Sequence, residues 1–167
     1  MTTSQLRPPM NKILVSACFI GQKVRYDGSS QMLDHPVFQQ WQQENRLCSI
    51  CPEVAGGLSI PRAPAEINSQ NQRVINNQGI DVSNAFTSGA QQALTLCQQQ
   101  NIKFALLKES SPSCGSSTIY DGTFSKRKIS GMGITAKLLT AHGIEVFSEK
   151  NFEQLVKAVQ AYQNPNS

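Results

Sequence analysis

Four short apolar runs alternate with amphipathic stretches of helical length, and this alternation limits the folds open to the chain. Residues 12–18, Lys-Ile-Leu-Val-Ser-Ala-Cys, are apolar at nearly every position after the lysine, as in a strand buried on both faces of a parallel sheet. Residues 47–50, 103–108 and 144–147 repeat that pattern. Helices are predicted over 35–45, from Ser83 to about Gln100, from the Gly131-Met132-Gly133 turn to near His142, and over 151–162. Strands that alternate with helices along a whole chain form a mostly parallel sheet with helical crossovers.

Local signals refine the pattern. Asp34 is the predicted cap of the first helix, with Pro36 in its first turn and Val37, Phe38 and Trp41 on one face. Ser83 is the predicted cap of the second, whose apolar face carries Phe86, Ala90, Ala93, Leu94 and Cys97. Gly143 suits the end of the third. Residues 73–75 and 79–82 flank Asn76-Asn77-Gln78 as a predicted hairpin, and a second hairpin is expected around Tyr120-Asp121-Gly122-Thr123. Long stretches over 53–68 and 109–133 read as loops, and no helix is expected after Cys51, because Pro52 and Gly56-Gly57 follow it. The expected fold is one α/β domain over residues 11–167. It has a mostly parallel, Rossmann-like four-stranded sheet flanked by helices, with long loops at the carboxyl edge. Residues 1–10, with Pro8-Pro9 and no apolar core, read as a flexible extension.

The 167 residues are 39% hydrophobic, 16% charged and carry a formal charge of +4, enough apolar content for a core. The charge suits a small anionic ligand. No dense basic cluster accompanies it, which argues against a nucleic-acid duplex or a membrane as partner; Lys126-Arg127-Lys128 reads as a solvated loop. Five cysteines without a secretion signal point to a reducing, cytoplasmic setting, where thiols are core residues or metal and catalytic groups.

In open parallel sheets, ligands bind beyond the carboxyl ends of the strands. Cys18 ends the first strand, Cys51 the second, and Cys114 lies in the loop after the third, so three thiols can meet at one edge. Cys97 falls on the apolar face of a helix and reads as a small hydrophobe. Cys48 forms a Cys-x-x-Cys pair with Cys51 but sits back from the strand end. A Cys–His nucleophile needs a base near Cys114, whereas His35 starts one helix and His142 ends another. Three thiolates without histidine suit a soft metal centre. Zinc would want a fourth ligand, such as Cys48, while a 4Fe-4S cluster can take three cysteines; spacing alone does not decide.

Longer motifs surround these cysteines. Val15-Ser16-Ala17-Cys18 precedes Gly21 and Val24-Arg25-Tyr26-Asp27-Gly28. Cys51-Pro52-Glu53-Val54-x-Gly56-Gly57-Leu58 leads to Pro61-Arg62-x-Pro64-Ala65-Glu66. Leu106-Leu107-Lys108-Glu109-x-Ser111-Pro112-Ser113-Cys114-Gly115 is followed by residues 119–124, Ile-Tyr-Asp-Gly-Thr-Phe, and by Gly131-x-Gly133-Ile134-Thr135-Ala136. In this order they resemble the signatures of the TudS-like thiouracil desulfidase family, with Phe19 where leucine is usual and Ser110 where arginine is common.

The resemblance implies a 4Fe-4S cluster on Cys18, Cys51 and Cys114 with one open iron. It also implies conversion of a thiolated uracil, or its nucleotide such as 4-thio-UMP, to the oxo form with release of hydrogen sulfide. Glu53 is then the candidate general base and Ser111 a proton relay or orienting group, with Ser113 as a second candidate at the substrate. Arg25, Lys108 and the Gly131-x-Gly133 turn at a helix start are candidates to hold a phosphate. Without the resemblance, Glu53 reads as a loop carboxylate paired with Arg62. The rival functions are a cluster-binding redox or iron sensor and a zinc-binding structural module. A monomer or weak dimer is expected.

Overall fold

A computed structural model describes residues 11–163. The elements in chain order are β1 (Ile13–Ser16), α1 (Pro36–Gln43), β2 (Leu47–Ile50), α2 (Pro52–Ala55), β3 (Ala65–Ile67), β4 (Val74–Asn76), α3 (Ser83–Gln99), β5 (Phe104–Leu106), β6 (Thr118–Tyr120), β7 (Lys128–Ser130), α4 (Ile134–Ala141), β8 (Glu145–Phe147) and α5 (Phe152–Gln163). Four strands form a parallel sheet in the order β2-β1-β5-β8. Residues 1–10, the expected extension, lie outside the described residues.

The period-two alternation of the strands sorts the core into two layers. Ile13, Val15, Phe104 and Leu106 face α1 and α5, packing with Phe38, Trp41, Phe152, Leu155 and Val159. Leu14 and Ala105 face the other way, onto Ala93, Leu94 and Cys97 of α3 and Ala136 and Leu139 of α4. A smaller cluster of Ile67, Val74, Phe86 and Ile119 anchors two hairpins, β3–β4 and β6–β7, against α3. With this strand order, the chain turns from one side of the sheet to the other between β1 and β5. That is the switch point at which such sheets bind ligands.

Four local expectations change. The α1 cap is His35, whose Nδ1 accepts from the Val37 amide at 3.1 Å; Asp34 instead accepts from the Gln39 side chain. Ser83 does not cap α3, because its hydroxyl accepts from the Val74 amide at 2.8 Å and so pins β4 to the helix. The strand at 74–76 bridges to Asp81 as expected, yet its ladder partner is β3, inside the stretch read as loop. Finally, Pro52 opens a short helix after Cys51. Proline suits a first helical position, and Gly56 keeps right-handed helical angles (φ −75°, ψ −2°).

Candidate metal centre

Cys18 follows β1 in a single 3₁₀ turn, Cys51 is the cap residue between β2 and α2, and Cys114 lies in the loop after β5. All three line one cavity of about 70 Å³, together with Ser16, Arg25, Glu53, Arg62 and Lys108. Cys48 and Cys97 line neither this cavity nor its neighbour; both pack in the α3-side core. His35 bonds Glu153 at 2.8 Å and His142 bonds the Leu138 carbonyl at 2.9 Å, so both histidines are engaged elsewhere.

The Cys51 segment is placed by close backbone packing. A Cβ on Gly56 would sit 1.9 Å from the Ala85 carbonyl oxygen, and one on Gly89 would sit 1.8 Å from that of Pro52. Only glycine at both positions lets α2 lie directly on α3. The Cys51 thiol donates to the Val24 carbonyl (3.8 Å), which also receives Arg62 Nη2 (3.0 Å).

The Cys114 loop is placed by a carboxylate. Glu109 is buried, and its Oε1 accepts the backbone amides of Ser110, Ser116, Ser117 and Thr118 at 3.0–3.2 Å. Its Oε2 accepts the Ser116 and Ser117 hydroxyls at 2.9 and 3.1 Å. Burial pushes this carboxyl up, but the amides and hydroxyls outweigh it and hold the pKa at about 2. Sequence reading missed this role. The available signal was a carboxylate at the end of a buried strand, followed by a run of serines whose amides and hydroxyls need acceptors.

Ser111 Oγ accepts the amides of Ser113 and Cys114, each at 3.1 Å, and lines a second cavity of about 510 Å³. This chamber shares Arg25, Tyr26, Glu53 and Lys108 with the cysteine cavity. Its far wall carries Glu66, Tyr120, Phe124, Lys126 and Lys128. Lys126 and Lys128 of the basic run, exposed as a solvated loop would be, also line this chamber, whereas Arg127 does not. The chamber's negative charges are internally engaged: Glu53 pairs with Arg62 (3.2 Å), Glu66 accepts the Gly122 and Phe124 amides, and Glu109 is saturated by its loop. Lys108 is bound to Glu149 at 3.0 Å. Arg25, Lys126 and Lys128 enter no ion pair among the described residues.

Two sequence expectations are corrected here. Ser113 is fully buried with its hydroxyl on Thr135 Oγ1 (2.8 Å), so it braces the cysteine loop from beneath and does not face the chamber. The Gly131-x-Gly133 turn does not offer its amides to a phosphate. The Gly131, Gly133, Ile134 and Thr135 amides donate to the carbonyls of Ser117, Gly115, Pro112 and Ser113. A Cβ on Gly133 would sit 2.4 Å from the Ser113 carbonyl carbon, so this glycine lets α4 start against the Cys114 loop.

The donor set, three thiols and no histidine, is chemically suited to an iron–sulfur cluster. Among the described residues, no three His, Cys, Asp or Glu side chains converge closely enough to hold a single metal ion. Cys18, Cys51 and Cys114 share the lining of one cavity, and Cys48 is not there to complete a zinc site. Burial raises the Cys18 thiol to about 11 and pushes Cys51 and Cys114 up as well, so each needs a compensating charge to become a thiolate. Arg25 and Lys108 offset part of that burial at Cys18, and Arg62 does so at Cys51. Arg62 Nε is buried without an acceptor, a donor in reserve beside the thiols.

A family model described as 2-thiouracil desulfurase matches residues 13–151. A solved structure titled [4Fe-4S]-dependent thiouracil desulfidase TudS is 49% identical. It aligns over 90% of this chain and 98% of its own with a TM-score of 0.87. The uncharacterized protein YbbK of Bacillus subtilis (strain 168) is 38% identical over 152 residues, covering 86% of this chain and 99% of its own. With most of its length matched by the family model and by both relatives, this chain belongs to the 2-thiouracil desulfurase family.

Proposed function

We propose that this protein binds a 4Fe-4S cluster through Cys18, Cys51 and Cys114 and hydrolyses the thiocarbonyl of a thiolated uracil or its nucleotide to the oxo form, releasing hydrogen sulfide. The observation that carries the reading is the shared wall. The three-thiol cavity and the 510 Å³ chamber both include Glu53, Arg25 and Lys108. A substrate in the chamber therefore meets the metal centre and a carboxylate together.

When bound, the cluster supplies an open iron that acts as a Lewis acid toward the thiocarbonyl sulfur. Glu53 takes a proton from water as the water oxygen bonds to the thiocarbonyl carbon. The carbon–sulfur bond then breaks, and the sulfur leaves as sulfide once protonated. Burial raises the Glu53 pKa, opposed by the Arg62 guanidinium, which suits a carboxylate that accepts a proton and returns it. The Ser111 hydroxyl oxygen is occupied by two amides, so its own proton is directed elsewhere and is available to a substrate atom. Arg25, Lys126 and Lys128, which line the chamber, would hold a nucleotide's phosphate in place of the glycine turn.

The test is anaerobic reconstitution with iron and sulfide, then incubation with 2-thiouracil, 4-thiouracil and 4-thio-UMP while sulfide is assayed. Sulfide and the oxo product in equal amounts are expected. A loaded protein that releases sulfide from none of the three would refute the enzyme reading and favour a cluster-binding sensor. Glu53→Gln should retain the cluster and lose about 10²-fold or more in turnover.

A further inference from the structure

Arg62 is held at three of its four nitrogens. Its backbone amide donates to the Tyr26 carbonyl at 2.7 Å, Nη1 to the Ser59 carbonyl at 3.2 Å, and Nη2 to the Val24 carbonyl and Glu53 Oε2 at 3.0 and 3.2 Å. The side chain is only 7% exposed, and its Nε has no partner. The guanidinium is planar, so Nε cannot swing toward an acceptor without breaking the contacts of both Nη atoms. Buried donors of this kind are rare in native proteins and call for an acceptor. Arg46 Nη2 is also unpaired, but Arg46 stacks near Trp41 and lines neither cavity, whereas Arg62 lines the thiol cavity itself.

The Val24 carbonyl receives both Arg62 Nη2 and the Cys51 thiol, which brings the guanidinium and a sulfur of the thiol cavity onto one shared acceptor. We infer that Arg62 is a positioning residue that couples the metal centre to the general base: Nε donates to a sulfur of the loaded centre while Nη2 holds Glu53. One rigid plane thus sets the position of the carboxylate relative to the cluster, and its charge offsets that of the thiolates. The inference rests on the three-cysteine cluster reading.

The experiment compares apo and anaerobically reconstituted wild-type protein carrying ¹⁵N-labelled arginine. The Nε–H signal of Arg62, identified by its loss in Arg62→Lys, should be exchange-protected and hyperfine-shifted only in the loaded protein. Loaded Arg62→Lys should lower kcat about 10-fold with KM within about twofold of wild type, because the base is misplaced while the chamber is intact. An unshifted, freely exchanging Nε–H in protein with its full iron, or a wild-type kcat in the loaded variant, overturns the inference and leaves the cluster reading standing. Wild-type protein that takes up no iron overturns both.

Discussion

The Cys51 segment and the Cys114 loop do the same job by different physics. Each presents a thiol at the carboxyl edge of the sheet. The first is set by steric fit, with Gly56 and Gly89 letting α2 and α3 touch backbone to backbone. The second is set by charge, with Glu109 collecting four amides and three hydroxyls of the loop it precedes. Packing of the first kind is indifferent to pH. An ionised carboxylate at the centre of a loop is not. The two arms of the proposed metal centre therefore have different weaknesses.

The largest effect is expected at Glu109. Glu109→Gln should lower stability at pH 7 by about 3 kcal/mol, since a neutral amide cannot replace charge-assisted acceptors and turns donors toward donors. The folded pKa of about 2 lies below the ordinary value of 4.5. The carboxylate's contribution is thus complete above about pH 4.5 and disappears as pH falls toward 2, so the gap between wild type and variant should close over that window. Denaturant melts at pH 7, 4 and 3 read this directly. A gap that stays constant across them would show that the loop is not held by charge.

Next comes Gly89→Ala. Alanine improves the intrinsic helix propensity by about 1 kcal/mol. Its Cβ, however, would lie 1.8 Å from a backbone oxygen that cannot rotate away. The clash wins, with a net loss of about 2 kcal/mol at every pH and a lower iron content as α2 moves Cys51. An equal or higher melting temperature would break the steric half of the comparison. The smallest effect belongs to a thiol in neither arm. Burial takes the Cys97 thiol to about 12, and the side chain lies in the α3-side core. Cys97→Ser should cost about 1 kcal/mol through a buried hydroxyl, with iron content unchanged.

Much of this architecture is legible in the sequence where a long period carries it. The four sheet strands and the helices at α1, α3, α4 and α5 announce themselves by burial pattern, and the strand ends locate Cys18, Cys51 and Cys114. What escapes is structure created by partners distant in the chain. Three-residue β3 has no period to read and exists through its ladder with β4. The helix at α2 is hidden because Pro52 and Gly56 look like breakers when they in fact open and close it. Gly131 and Gly133 have the spacing of an anion-binding turn, yet their amides serve the Cys114 loop, a use decided by how α4 packs. Glu109 escapes because its partners are mostly backbone amides, which no residue pattern displays.

The central claim is that three cysteines and not the other two hold the cluster. Iron and acid-labile sulfide per chain, measured after anaerobic reconstitution of the five single Cys→Ser variants, test it most directly. The account predicts a full cluster in Cys48→Ser and Cys97→Ser, and its loss in Cys18→Ser, Cys51→Ser and Cys114→Ser. Loss of the cluster in Cys48→Ser, or a full and stable one in any of the other three, would contradict it.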